Sequence, residues 1–531
     1  MLYIRDIYAG KPDAKDEIAV SGDDLFFQSF IAPLNIDVNS LLNGDKYFIT
    51  GFKGVGKTAL LYYLEKKVKE RDTSSCTSFI FFKSDYPDHR REELERLSHR
   101  LTSLISVDPK LTLDGTDYEY IWRWILFRQI ISDQAKFSDG LFVINNAWES
   151  FVKCIKQIKV NSSRPKRFSF PTSLKFSVPM KDASAQTEIA PEFELDLSRI
   201  GATQTEAYSQ FCMILDSAEQ LLMEAERTDV PYYLFIDELE AYYGEHEVFI
   251  RDLKLIRDLV LTVNRINRMV AQNKLLNTHI ICSVRTEIVN SIHRFITSKE
   301  MNKAISGFEV PLKWNYHNTN SYRHPIIQML IQRIKIAENE HGIEMSESER
   351  LEKWFPSSIN KQAVFSYILN NSWCKPRDIV RLILSAQNNL SASNTSFNEA
   401  TFDQLRKTYS TDSLTEIKEE MLALYLPAEI ESIVGCLTGF KYLFSFEEIR
   451  NRAIRIAPDS LLAQKTMEVL QDLYRLGVIG NFDRDTSRYR WHHKGDDKLI
   501  ISDEWEIMIH QALQATLSIG RASKKKRNIG P

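Results

Sequence analysis

Residues 46–50 (KYFIT) form a short apolar and aromatic run that ends in a glycine-rich turn. Beyond the turn the period changes, with Leu60, Leu61, Leu64 and Val68 recurring at helical spacing across 57–69. The pattern predicts strand, loop, helix. Residues 78–83 (SFIFFK) are a second apolar run ending near Asp85, and 232–236 and 278–284 supply two more, each preceded by a long helical pattern. Four apolar strands alternating with helices predict an α/β fold, a doubly wound parallel sheet with helices on both faces.

The first and third of these strands lie roughly 180 residues apart, far beyond an ordinary strand-to-helix spacing, so residues 87–230 are expected to hold a large insertion. Its first half reads as helix: 118–131 carries Trp122, Trp124, Leu126, Phe127 and Ile130, a stripe expected to be core. The second half, 164–200, has Pro171, Pro179 and Pro191, and Leu174, Phe176 and Val178 alternate with Ser173, Lys175 and Ser177, predicting a β-hairpin. A further strand is expected at 308–312, and from about 323 the pattern is almost entirely helical, as in a lid domain. Near the C-terminus, Ser445 with Glu448 reads as a capping-box start, 461–476 as a second amphipathic helix, 477–495 as a hairpin, and a final helix is expected from about Asp503. Helix, helix and β-wing in that order predict a winged helix. The expected boundaries are 1–86 and 231–320 for the two parts of the core, 87–230 for the insertion, 321–435 for the helical lid, 436–520 for the winged helix and 521–531 for a basic tail.

At 531 residues the chain exceeds what one hydrophobic core usually organises, which predicts a few domains. Hydrophobic residues make up 43% and charged residues 26%, which excludes wholesale disorder. A net charge of −3 gives no global pull toward nucleic acid or membrane, so such a contact requires a local patch. The six cysteines form no CxxC pair and no zinc spacing, and they read as reduced thiols of a cytosolic protein. The N-terminal run has no apolar signal-peptide core, and no stretch approaches the roughly 18 apolar residues of a membrane span. A cytoplasmic protein without a membrane anchor is expected.

Residues 51–58 (GFKGVGKT) satisfy GxxxxGK[ST] between an apolar strand and an amphipathic helix, the context a P-loop requires. Gly51, Gly54 and Gly56 let backbone N–H groups close around phosphates, with Val55 and Ala59 completing the loop and first helical turn. Lys57 would reach the β- and γ-phosphates of ATP, and Thr58 would ligate Mg²⁺. Residues 232–238 (YYLFIDE) are an apolar strand ending in two acids. Asp237 is expected to hold the Mg²⁺ water shell and Glu238 to act as general base on the attacking water. The strand 279–284 (HIICSV) brings Ser283 and Arg285 to its C-terminal end, the edge where open α/β sheets bind ligands. A polar group there would contact the γ-phosphate or water; an arginine that merely ends a strand in solvent is the competing account. Arg377, in 373–378 (WCKPRD), would reach the nucleotide from the lid, against the alternative of an ordinary helix-start salt bridge.

These elements together resemble the AAA+ and STAND-type P-loop ATPases, and more narrowly the bacterial FunZ-like P-loop ATPases. The resemblance implies a P-loop NTPase core and first- and second-sensor roles for Arg285 and Arg377. It also implies an ATP·Mg²⁺-driven molecular switch in bacterial defence against phage or mobile DNA, acting as a homo-oligomer or with a protein partner. No trans-acting arginine finger can be matched to any residue. The alternative is a loader-type ATPase that binds DNA through the winged helix, where Arg484, Arg488, Arg490, His492, His493 and Lys494 lie beside Tyr489 and Trp491. A solvated hairpin packing on the lid is the plainer account of that segment.

Overall fold

The computed structural model describes residues 2–102, 118–137, 140–159, 195–196, 204–242, 245–272, 277–297, 300–314, 316 and 320–519. They divide into two compact units: Asp37–Gly51 with Leu60–Pro311, and Met1–Ile36 with Phe52–Ala59 and Leu312–Pro531.

The first unit is built on five parallel strands: β1 Phe48–Gly51, β2 Cys76–Phe81, β3 Tyr232–Asp237, β4 Thr278–Arg285 and β5 Glu309–Pro311. Their order is β2-β3-β4-β1-β5. All five fall within two residues of the positions the apolar runs predict. β5 is an edge strand, which is where Pro311 can sit without removing a ladder hydrogen bond that the sheet needs. Alternation separates two faces. Tyr232, Leu234 and Ile236 of β3, with Ile280, Cys282 and Val284 of β4, enter one large buried cluster. The intervening side chains point the other way, where Phe79 stacks on both Phe235 and on Tyr62 of the helix Lys57–Arg71.

The cluster is completed by the helices Glu119–Lys136 and His246–Gln272. The expected aromatic stripe is core: Trp122, Trp124, Leu126, Phe127 and Ile130 are each at most 1% exposed. Part of the segment read as an insertion is thus integral to the packing of the sheet. The hairpin expected at 164–200 lies outside the described residues, save that Leu195–Asp196 pairs in parallel with Ile158–Lys159. Charged groups are also sealed in this unit. Asp252, fully buried, accepts from Arg251 Nε and Nη2 at 3.0 and 2.8 Å, from the Tyr242 N–H at 2.9 Å, and from Arg91.

The second unit is mainly helical, as expected for the stretch after residue 323, with Pro325–Glu340, Glu347–Trp354, Val364–Asn370, Pro376–Asn389 and Glu399–Met421. Its C-terminal part carries an antiparallel sheet of β6 Leu443–Phe444, β7 Ile479–Asp483, β8 Arg488–Arg490 and β9 Trp505–Ile509, in the order β6-β9-β7-β8. The capping box at Ser445 forms as read, Ser445 Oγ accepting from the Glu448 N–H at 3.2 Å and the Glu448 carboxylate from the Ser445 N–H at 3.0 Å. The hairpin expected at 477–495 is β7 and β8.

Two expectations are corrected here. The helix expected over 461–476 breaks at Lys465 (φ −127°, ψ 45°) into Leu461–Gln464 and Thr466–Arg475. The segment expected to be a final helix from Asp503 is strand β9: its run WEIMI lies between β6 and β7, and Ile507, Met508 and Ile509 are all buried. Met508 is buried on the face opposite Ile507 and Ile509, so the clean alternation that would have distinguished the strand from a helix is missing. Among the described residues no helix is long and apolar enough to cross a membrane.

Candidate functional site

In the first unit the acidic residues fall where the strand pattern puts them, at the C-terminal end of β3. Asp237 is 3% exposed; its Oδ1 accepts a hydrogen bond from Ser283 Oγ on β4, and its Oδ2 has no hydrogen-bond partner among the described residues. A buried carboxylate oxygen left without a donor is costly and asks for one, which a hydrated cation supplies. Burial and the nearby Asp237 charge hold the Cys282 thiol well above its ordinary range, so it stays protonated.

Glu238 follows with φ +58°, in the left-handed region that a non-glycine residue rarely occupies. Its Oε2 accepts from both the N–H and the Oγ of Ser84, at 3.0 and 2.6 Å. Ser84 belongs to the short helix Phe82–Asp85 that directly follows β2, so the neighbouring parallel strand delivers the group that orients Glu238. Arg285 ends β4 and is only partly exposed, its guanidinium paired with Glu240, which also takes Lys83 at 3.1 Å. In the β1–β4 register Arg285 stands opposite Gly51, the residue from which the glycine-rich loop departs.

The loop itself lies in the second unit. Gly54 and Gly56 have φ +80° and +93°, conformations that glycine adopts without steric cost. Lys57 is 8% exposed, and its ammonium donates to the Phe52 carbonyl at 2.9 Å, spanning the loop. Trp314 Nε1 donates to the Val55 carbonyl at 2.9 Å and pins the crown of the loop. Thr58 and Ala59 lie in the first turn of the helix Lys57–Arg71.

The second-unit helix Pro376–Asn389 begins against this loop. A Cβ on Gly54 would stand 3.3 Å from the Arg377 Cβ, and one on Gly56 3.7 Å from the Pro376 ring. Arg377 donates to Glu416 at 2.8 Å and to the Pro12 carbonyl at 3.1 Å, while Arg381 also pairs with Glu416. Arg377 is therefore next to the loop, and the salt bridge it makes is to another helix of its own unit.

Residues 324–418 match the family model of the FunZ-associated C-terminal helical domain. The match supports a FunZ-like protein. No curated protein matches the chain in sequence. The FunZ-associated span holds the helices from Pro325–Glu340 through most of Glu399–Met421, and so contains both Arg377 and its partner Glu416.

The polar and aromatic residues of the C-terminal hairpin are largely engaged within their unit. Arg484 pairs with Glu506, Arg490 with Asp496 at 3.5 Å, and Lys494 with Asn370 at 3.0 Å. His492 meets Phe52 and Tyr474 edge-on, and Trp491 is buried against His510. Tyr489, 56% exposed, and Arg488 are left facing solvent.

The sequence reading missed Ser84, Glu240, Glu416 and Trp314. None belongs to a motif: each is made relevant by strand order or helix packing. The available signal for Ser84 is its place just past the end of an apolar strand, where an open sheet gathers polar groups.

Proposed function

We propose that the chain binds and hydrolyses ATP as a molecular switch of AAA+/STAND type. The observation that carries this reading is the Asp237 carboxylate, buried at the C-terminal edge of a parallel sheet with one oxygen unpartnered among the described residues. The order β3-β4-β1 supports it, because β4 lies between the acidic strand and the strand that runs into GFKGVGKT, and presents Ser283 and Arg285 at the same edge. In this reading Gly51, Gly54, Val55, Gly56 and Ala59 supply backbone around the phosphates, and Lys57 neutralises their charge. Thr58 and Asp237 would hold the Mg²⁺, whose charge supplies electrostatic stabilisation to the transferring phosphoryl group. Glu238, oriented by Ser84, takes the proton from the attacking water.

The FunZ-associated domain is consistent with a defence-associated system, and the β6–β9 sheet with its capped helices is read as the winged helix. Protein-partner or homo-oligomer switching is favoured over DNA loading, because most of the cations on the hairpin are already paired. The test is phosphate release by the wild type, Lys57→Ala and Glu238→Gln, each with and without double-stranded DNA. Loss in both variants with no DNA response supports the switch. Equal rates in all three proteins refute the ATPase.

A further inference from the structure

A second candidate site lies apart from the glycine-rich loop, in the FunZ-associated helices themselves. A pocket of about 510 Å³, counting its open mouth, is walled by Val364–Asn370, Pro376–Asn389 and Glu399–Met421, with Gln511 and Ala512 contributing from the C-terminal part. Its lining is mainly apolar and aromatic, including Tyr367, Ile379, Leu382, Phe402 and Leu405.

The polar groups on its wall fall into two sets. Asp378 accepts from the N–H groups of Trp373 and Lys375 at 2.8 and 3.0 Å, Ser372 Oγ accepts from the Cys374 N–H at 3.2 Å, and Asn371 donates to the Tyr367 carbonyl at 2.9 Å. These hold the helix starts together. The second set has no such task. The half-buried Arg406 guanidinium makes no ion pair or hydrogen bond among the described residues, and the same holds for hydrogen bonds of the Tyr409 hydroxyl and the Gln511 amide. Tyr409 is only 9% exposed, and burial raises its phenol well above the ordinary range, so the hydroxyl remains a donor. A permanent cation and two uncommitted hydrogen-bonding groups on an apolar wall form the pattern of a site with one polar end.

The geometry points to this pocket as a binding site for a small anionic amphiphile, a flat apolar body bearing one carboxylate, sulfonate or phosphate. The body lies on Phe402, Leu405, Ile379 and Leu382, and the anionic group meets Arg406 with Tyr409 and Gln511 as further donors. Such a ligand would give the FunZ-associated domain a sensing role independent of the nucleotide reading.

The probe is anilinonaphthalene sulfonate, with uncharged phenylnaphthylamine as the matched neutral molecule, each titrated into the full chain by fluorescence. Saturable binding of the sulfonate at one site per chain is expected. Arg406→Gln should weaken it about tenfold, the low end for losing a charge-assisted hydrogen bond, and leave the neutral amine unchanged. Leu382→Trp should fill the pocket and abolish both, with circular dichroism reporting whether that variant folds. In nucleotide-free buffer, Lys57→Ala should leave sulfonate binding intact. Unchanged sulfonate affinity in Arg406→Gln overturns the proposal, as does loss of sulfonate binding in nucleotide-free Lys57→Ala.

Discussion

Replacing Glu238 by glycine separates its chemical role from its structural one. Glu238 sits at φ +58°, and left-handed backbone costs a residue with a Cβ about 1–2 kcal/mol, a cost glycine escapes. Glycine gives part of that back, roughly 0.4–1 kcal/mol, through the greater freedom of its unfolded chain. It also forfeits the two hydrogen bonds from Ser84. In water-accessible surroundings these are worth about 0.5–1.5 kcal/mol each. The terms leave a net change between roughly zero and a loss of about 3 kcal/mol, so Glu238→Gly should lie within about 3 kcal/mol of the wild type in urea unfolding. Turnover is a different matter: without the carboxylate the water loses its base, and phosphate release should fall about 10²- to 10⁴-fold. Glu238→Gln, which keeps an oxygen for Ser84, should lose turnover similarly with a smaller change in stability. Phosphate release measured beside urea midpoints reads both quantities on one preparation. Turnover within threefold of the wild type in either variant refutes Glu238 as the base. A loss of stability well beyond 3 kcal/mol would instead make it a structural residue, and its turnover loss would then carry no mechanistic weight.

Lys57→Ala removes a cation from the loop and should weaken ATP·Mg²⁺ binding about 10- to 100-fold by calorimetry, the size of a charge-assisted hydrogen bond. Asp252→Ala strips a fully buried carboxylate from Arg91 and Arg251 and should cost about 3–5 kcal/mol, read as a lowered urea midpoint. Burial, with Lys494 nearby, pushes the His510 imidazole down to about 3, and burial likewise pushes His324 down to about 4. Both stay neutral in the folded chain while the unfolded imidazoles take protons below about 6.5, so their contribution is complete above that pH and is lost as pH falls toward 4. Each should add about 1.4 kcal/mol per pH unit to the slope of stability between pH 4 and 6, and His510→Asn should remove one such increment.

The parallel sheet was legible because buried strands in such sheets are near-continuous apolar runs, and 46–50, 78–83, 232–236 and 278–284 stand out against helical periodicity. A related property concealed β9: Met508 is buried on the face opposite Ile507 and Ile509, and without a partner strand in view WEIMI reads equally well as one turn of an amphipathic helix. The break at Lys465 was hidden because neither glycine nor proline marks it. At the candidate site, the residues proposed to carry chemistry stand at fixed spacings in the sequence, from Gly51 to Thr58 and from Asp237 to Glu238. The residues that hold them were not, because Ser84 reaches Glu238 across 154 positions and Trp314 reaches Val55 across 259.

That division bears on the two arginines read as sensors. Arg285 is held by Glu240 in one unit, and Arg377 by Glu416 in the other. Partly exposed pairs of this kind contribute little to stability after solvent screening, so a phosphate, carrying more charge and more acceptors than a carboxylate, can compete for either guanidinium. A change of partner at Arg377 would leave Glu416 held by Arg381 alone, and so weaken the contact between the helices Pro376–Asn389 and Glu399–Met421. Under the switch reading, this exchange is where nucleotide chemistry becomes movement in the FunZ-associated helices. Glu416→Gln should imitate it, raising hydrogen exchange in those two helices without nucleotide. Unaltered exchange in that variant would mean that Glu416 does not hold them together.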